Sequence, residues 1–113
     1  MAAYLVYICQ SVLDRKELET YWEESPATLA GHEYKLLAVY TPFERLEGEG
    51  EVLGVVLAEF PSVEAAKAWF NCTEYSRVRK HRQRGAKYLG LLVEGGIQMS
   101  FDKRPGGAHA LKE

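Results

Sequence analysis

The 113 residues contain only two cysteines, Cys9 and Cys72, so no disulfide framework carries this fold. No Cys-x-x-Cys pair occurs, and His32, His81 and His109 lack the spacing of metal ligands, so no metal site is expected. No apolar run approaches the roughly 18 residues of a membrane span. Met1-Ala2-Ala3 leads into a short apolar segment with no basic flank, so neither a membrane partner nor a signal peptide is expected, and the expected location is cytoplasmic. A Gly-rich phosphate loop and a nucleophile elbow are also missing. Gly48-Glu49-Gly50 is a turn whose charge would repel phosphate. No cofactor is expected. The chain is too short for a doubly wound or barrel enzyme, which needs roughly twice this length. A net charge of −2 argues against a general binder of nucleic acid.

What is present is a heavy core for one small domain: seven Tyr, four Phe and two Trp, within 47% apolar composition. The charge is split. Residues 1–60 carry 4 basic against 11 acidic side chains, and residues 61–113 carry 10 against 5. Folding the halves together predicts internal or inter-subunit complementarity, with a functional anion site as the sharper reading.

Tyr4 to Cys9 is a β-branched and aromatic run, a strand. Asp14 with Glu17 three residues later is an acidic capping box that starts a helix. Ser25-Pro26 interrupts and restarts the helix, and Gly31 closes it. Tyr34–Tyr40 is the second strand, with Phe43–Leu46 a candidate edge continuation. Leu53–Phe60 is the third strand. Val63–Phe70 is a short helix, and Thr73 is expected to cap a second helical segment ending at Gly85. Tyr88–Glu94 is the fourth strand. The order β-α-β-β-α-β predicts an α+β, ferredoxin-like fold: a four-stranded antiparallel sheet with both helices on one face. The domain is expected over residues 1–96, with a flexible tail over 97–113.

Strand three is apolar on both faces: Val56, Ala58 and Phe60 on one, Leu53, Val55 and Leu57 on the other. A second apolar face of several hundred Å² is not left in water. A homodimer with the sheets face to face, a dimeric α+β barrel, is expected.

The run Glu59-Phe60-Pro61-Ser62-Val63-Glu64-Ala65-Ala66-Lys67-Ala68-Trp69 resembles the DUF1330 family of small dimeric α+β barrel proteins. Leu46-Glu47-Gly48, Glu74-Tyr75 with Arg79 and Arg82, Leu92-Val93-Glu94-Gly95 and the start Met1-Ala2-Ala3-Tyr4 support the resemblance over about residues 2–96. It implies the fold and the dimer, and it implies no particular reaction. Val39-Tyr40-Thr41-Pro42 departs from the small or basic residues of the family pattern, which implies a different ligand if that region shapes the pocket.

Tyr75, Arg79 and Arg82 share one helical stripe. A planar guanidinium and a hydroxyl would bind the anionic end of a small molecule. The alternative is that the arginines pair with the acidic half. Glu59 falls on the expected inter-sheet face, where desolvation would suit it to acid or base work. The alternative is a salt-bridged strand-end carboxylate. His32 is a candidate proton shuttle or a cation at a helix C-terminus. Tyr4, Tyr7 and Tyr40 are core residues or cavity-lining hydroxyls, and periodicity leaves their side open. His81 is expected to be exposed. The basic run from Arg77 to Lys87 reads as a solvated face, because no aromatic stripe interleaves it as nucleic-acid binding would need.

The leading expectation is a cofactor-independent enzyme acting on a small anionic or aromatic organic molecule by proton transfer, as an isomerase, cyclase or lyase. Glu59 or His32 would be the acid/base, Arg79 the anion clamp, and Tyr75, Arg82, Tyr40 and Tyr4 the binding residues. The alternatives are a non-catalytic module that binds a small molecule or protein, and a purely structural dimer.

Overall fold

A computed structural model describes residues 1–107. Residues 108–113 of the expected tail, with His109, lie outside the described residues. The elements are β1 (Ala3–Val12), α1 (Arg15–Glu24), a 3-10 turn (Pro26–Leu29), β2 (Lys35–Val39), β3 (Gly54–Phe60), α2 (Val63–Phe70), α3 (Thr73–Gly85), β4 (Ala86–Glu94) and a 3-10 turn (Phe101–Lys103). The strands form one sheet in the order β2-β3-β1-β4, antiparallel throughout. This is the ferredoxin-like α+β arrangement, with the second helical region split into α2 and α3.

Alternation along β1 decides the layering. Ala3, Leu5, Tyr7 and Cys9 are buried, while Tyr4, Val6 and Ile8 are half-buried on the other side. The register sets Leu5 against Ala58 and Tyr7 against Val56, so those residues share the helix side. There they pack with Tyr21, Leu29, Ala66, Trp69, Tyr75 and Val78 in one core. The opposite face carries Val6, Ile8, Val55 and Leu57, with Leu89, Leu91 and Val93 exposed at 43–48%. It is apolar and uncovered.

Local signals account for most element ends. The Asp14 carboxylate accepts from the Lys16 and Glu17 amides. The Ser62 hydroxyl accepts from Ala65 N at 3.0 Å. The cap of α3 is Cys72 rather than Thr73, its Sγ accepting from Tyr75 N at 3.4 Å. Phe43–Leu46 does not extend β2; it is exposed and irregular, because Pro42 withholds a ladder donor. At Gly85 a β-carbon would lie 2.6 Å from Leu18 N, so only glycine lets α3 meet the first turn of α1.

The charge split resolves within the chain between these two helices. His81 on α3 is half-buried rather than exposed, with Nδ1 3.1 Å from Glu17 Oε1 on α1. Arg84 reaches the same carboxylate at 3.8 Å. Glu17 therefore faces α3 instead of closing the capping box.

Candidate functional site

The polar centre of the molecule is a tyrosine cluster under the helices. The Tyr75 hydroxyl from α3 bonds the Tyr7 hydroxyl at 2.8 Å and the Tyr21 hydroxyl at 2.7 Å. All three side chains are buried. A second chain runs beside it: Trp22 Nε1–H donates to the Tyr40 hydroxyl at 3.1 Å, and Tyr40 bonds the Tyr88 hydroxyl. Tyr40 is the one non-glycine residue with positive φ among the described residues, at 54°. This left-handed backbone costs energy, and such strain clusters at functional sites.

Two strand glycines make room for these rings. A β-carbon at Gly90 would lie 2.8 Å from the Tyr7 ring, and one at Gly54 would lie 2.7 Å from the Tyr40 ring. Glycine inside a strand often marks such a close approach.

Arg82 enters between the two chains. Its guanidinium carbon stands 4.4 Å from the Tyr7 ring centre, 5.1 Å from Tyr88 and 5.8 Å from Tyr21. The residue is 7% exposed, yet its Nε has no hydrogen-bond partner. Among the described residues no carboxylate lies within ion-pair distance of it. Burial pulls the Arg82 guanidinium down, the oxygens of Tyr7, Tyr75 and Tyr21 raise it more, and the net shift is upward. Burial also raises the Tyr7, Tyr21 and Tyr75 hydroxyls above their ordinary value of 10.0, so they remain protonated donors at neutral pH. Tyr88 is raised by burial and then by its bond to Tyr40.

Arg82 lines a cavity of about 760 Å³ between α2, α3 and β4, floored by Leu5, Tyr7, Phe60 and Trp69. A second cavity of about 290 Å³ lies on the β2 side of Tyr7. It is walled by Tyr21, Trp22, Leu36, Val39 and Tyr40. Among the described residues no group of three His, Cys, Asp or Glu side chains could hold a metal ion.

Of the candidate residues read from the sequence, Tyr75, Arg82 and Tyr40 lie in or beside this cluster. Arg79 is on α3 with Tyr75 and Arg82 but lines neither cavity: its guanidinium donates to Phe70 O at 3.0 Å and covers the Phe70 ring at 4.0 Å. Tyr4 and Glu59 pair across β1 and β3 on the outward face, with Lys35 opposite Glu59 on β2. The sheet separates them from both cavities. His32 is half-buried after the 3-10 turn and lines neither cavity. Glu59, His32 and Arg79 thus do not converge.

Tyr7, Tyr21 and Tyr88 carry the cluster, yet in the sequence they read mainly as core or strand residues. The signal was the glycine at position 90, which register places opposite Tyr7.

The profile of the family described as "Domain of unknown function (DUF1330)" matches residues 2–96. The chain belongs to the DUF1330 family. Its fold is similar to that of a protein of unknown function from Rhodopseudomonas palustris, RPA0582, at TM-score 0.67 and 16% identity, covering 86% of this chain and 84% of that one. It is also similar to SnoaB from Streptomyces nogalater, described as a cofactor-independent oxygenase: TM-score 0.59, 10% identity, 87% and 96% covered. A dimeric ferredoxin-like protein of unknown function from Bacteroides fragilis matches at TM-score 0.50 and 12% identity, over 83% and 96%. At these identities the likeness is one of fold. No curated protein matches the sequence. No helix among the described residues is long and apolar enough to cross a membrane.

Proposed function

We propose that this DUF1330 member is a cofactor-independent enzyme that binds a small organic anion beside Arg82 and stabilises negative charge on one of its oxygens. The observation that carries this reading is a buried guanidinium with no carboxylate partner and an unsatisfied Nε in a cavity lined by Tyr7 and Tyr88. A permanent charge without a carboxylate partner is a receptor for an external anion. Tyr7 lines the same cavity and stays protonated, so it donates a hydrogen bond where an enolate oxygen develops. Tyr75 and Tyr21 hold its hydroxyl in place. Such a site suits isomerase, cyclase or lyase chemistry, and SnoaB is described as working without a cofactor on a similar fold. Glu59 and His32 lie outside the cavity, and no step is placed on them.

A non-catalytic binding module is the second reading. It is favoured by the cavity wall, which contains no Asp, Glu or His to act as base. Exchange of the benzylic protons of phenylpyruvate in deuterated water separates the two. Catalysis predicts faster exchange with the protein, solvent water taking the benzylic proton while Arg82 and Tyr7 stabilise the enolate oxygen, and a fall of about a hundredfold in Tyr7→Phe. Binding without acceleration overturns the enzyme and leaves the binding module.

The proposed assembly is a homodimer through the apolar outward face, which touches the cavity's edge at Leu91. The Bacteroides fragilis neighbour is described as dimeric. Light scattering is expected to give twice the chain mass, and a particle of one chain's mass overturns the dimer.

A further inference from the structure

We propose that the ligand of the Arg82 cavity is an organic dianion, with one anionic group on Arg82 and a second held at the mouth by Lys67 and Lys87. This rests on the reading of Arg82 as an anion receptor and adds the class of ligand. Three cations line this cavity, from three different elements: Lys67 on α2, Arg82 on α3 and Lys87 on β4. The wall has no acidic side chain, although the whole chain carries 16 acidic residues against 14 basic ones. Among the described residues none of the three makes an ion pair.

The charges sit at two depths. Arg82 is buried on the tyrosine rings, whereas both lysines are exposed at the rim. Between them the lining is largely apolar and aromatic, with Phe70, Trp69 and Tyr7 among its residues. A monoanion on Arg82 would leave the rim positive and unanswered. A cleft of one sign with low-dielectric walls concentrates its field on an incoming opposite charge. A ligand with two anionic groups joined by a flat, unsaturated body meets both depths. Asn71 and Gln83 on the same wall supply neutral donors for further oxygens.

Terephthalate and its monomethyl ester test this, because they share a skeleton and differ by one charge. Affinities would be measured by calorimetry on the intact chain at low salt. Terephthalate is expected to bind about tenfold more tightly, the yield of two rim pairs at a partly exposed site. The ratio is expected to shrink at 0.5 M salt, where screening acts within about 4 Å. In the Lys67→Gln/Lys87→Gln double variant it is expected to fall to near one. A ratio near one in the wild-type chain, or a tenfold ratio that survives in the lysine variant, overturns the dianion. Failure of terephthalate to bind at 10 mM also overturns it. Arg82→Met separates the two levels: unchanged binding of both acids there overturns the anion receptor itself.

Discussion

Between about pH 10 and pH 12 the protein is expected to unfold, with a midpoint set by three buried phenols. Tyr7, Tyr21 and Tyr75 have hydroxyls raised by burial above their unfolded value of 10.0. Above pH 10 the unfolded chain has released protons that the folded chain still holds. Stability is therefore complete below pH 10 and falls as pH rises through that window. Each such group contributes a slope of about 1.4 kcal/mol per pH unit, so three give about 4. A domain with about 5–15 kcal/mol of stability loses most of it within two or three pH units. Tyrosinate absorbance near 295 nm, followed with circular dichroism, measures this. Ionisation of these phenols should coincide with loss of the fold. Full ionisation of all seven tyrosines with circular dichroism unchanged would show that the cluster is open to solvent.

Arg82→Met is expected to remove ligand binding without weakening the fold. The wild-type guanidinium is buried, lacks a carboxylate, and leaves Nε without a partner. An unsatisfied buried donor costs about 1–3 kcal/mol. The faces of Tyr7, Tyr88 and Tyr21 offset part of this. Methionine has a similar length, packs well against aromatic rings and carries no charge into the core. Chemical denaturation should show stability unchanged or raised by about 1 kcal/mol, as when buried charges are replaced by apolar residues of similar volume. Affinity for terephthalate should fall about ten- to a hundredfold, the worth of a charge-assisted hydrogen bond. A loss of more than about 1 kcal/mol of stability would make Arg82 a structural residue, and the anion receptor would fail with it.

Two signals of different range account for what was legible beforehand. Element types and caps are local, and Asp14, Ser62 and the Val63–Phe70 helix follow from nearby residues alone. The stripe of Tyr75 and Arg82 is also local, since helical periodicity puts them on one side. The failures were long-range. Alternation puts Glu59 on the same face as Leu57, and the cavity of Arg82 lies on the helix face of the sheet, so Glu59 does not line it. Arg79 sits three residues before Arg82, short of a full turn, and its guanidinium goes onto the Phe70 carbonyl instead. Tyr88 joins the site only because the β1–β4 register sets it against Cys9, next to Tyr7.

The sequence by itself determined an α+β domain of the DUF1330 type, its strand and helix order, its second apolar sheet face and the split of charge between its halves. Each of these is carried by periodicity, capping chemistry or composition, which act over a few residues or over the whole chain at once. Only the tertiary structure decided where the cavities open, which tyrosines meet, and that Arg82 alone among the basic residues of α3 is buried without a carboxylate. Those outcomes depend on strand register and on the close approach permitted at Gly54, Gly85 and Gly90. Residues far apart in the chain set both, and no local pattern records them.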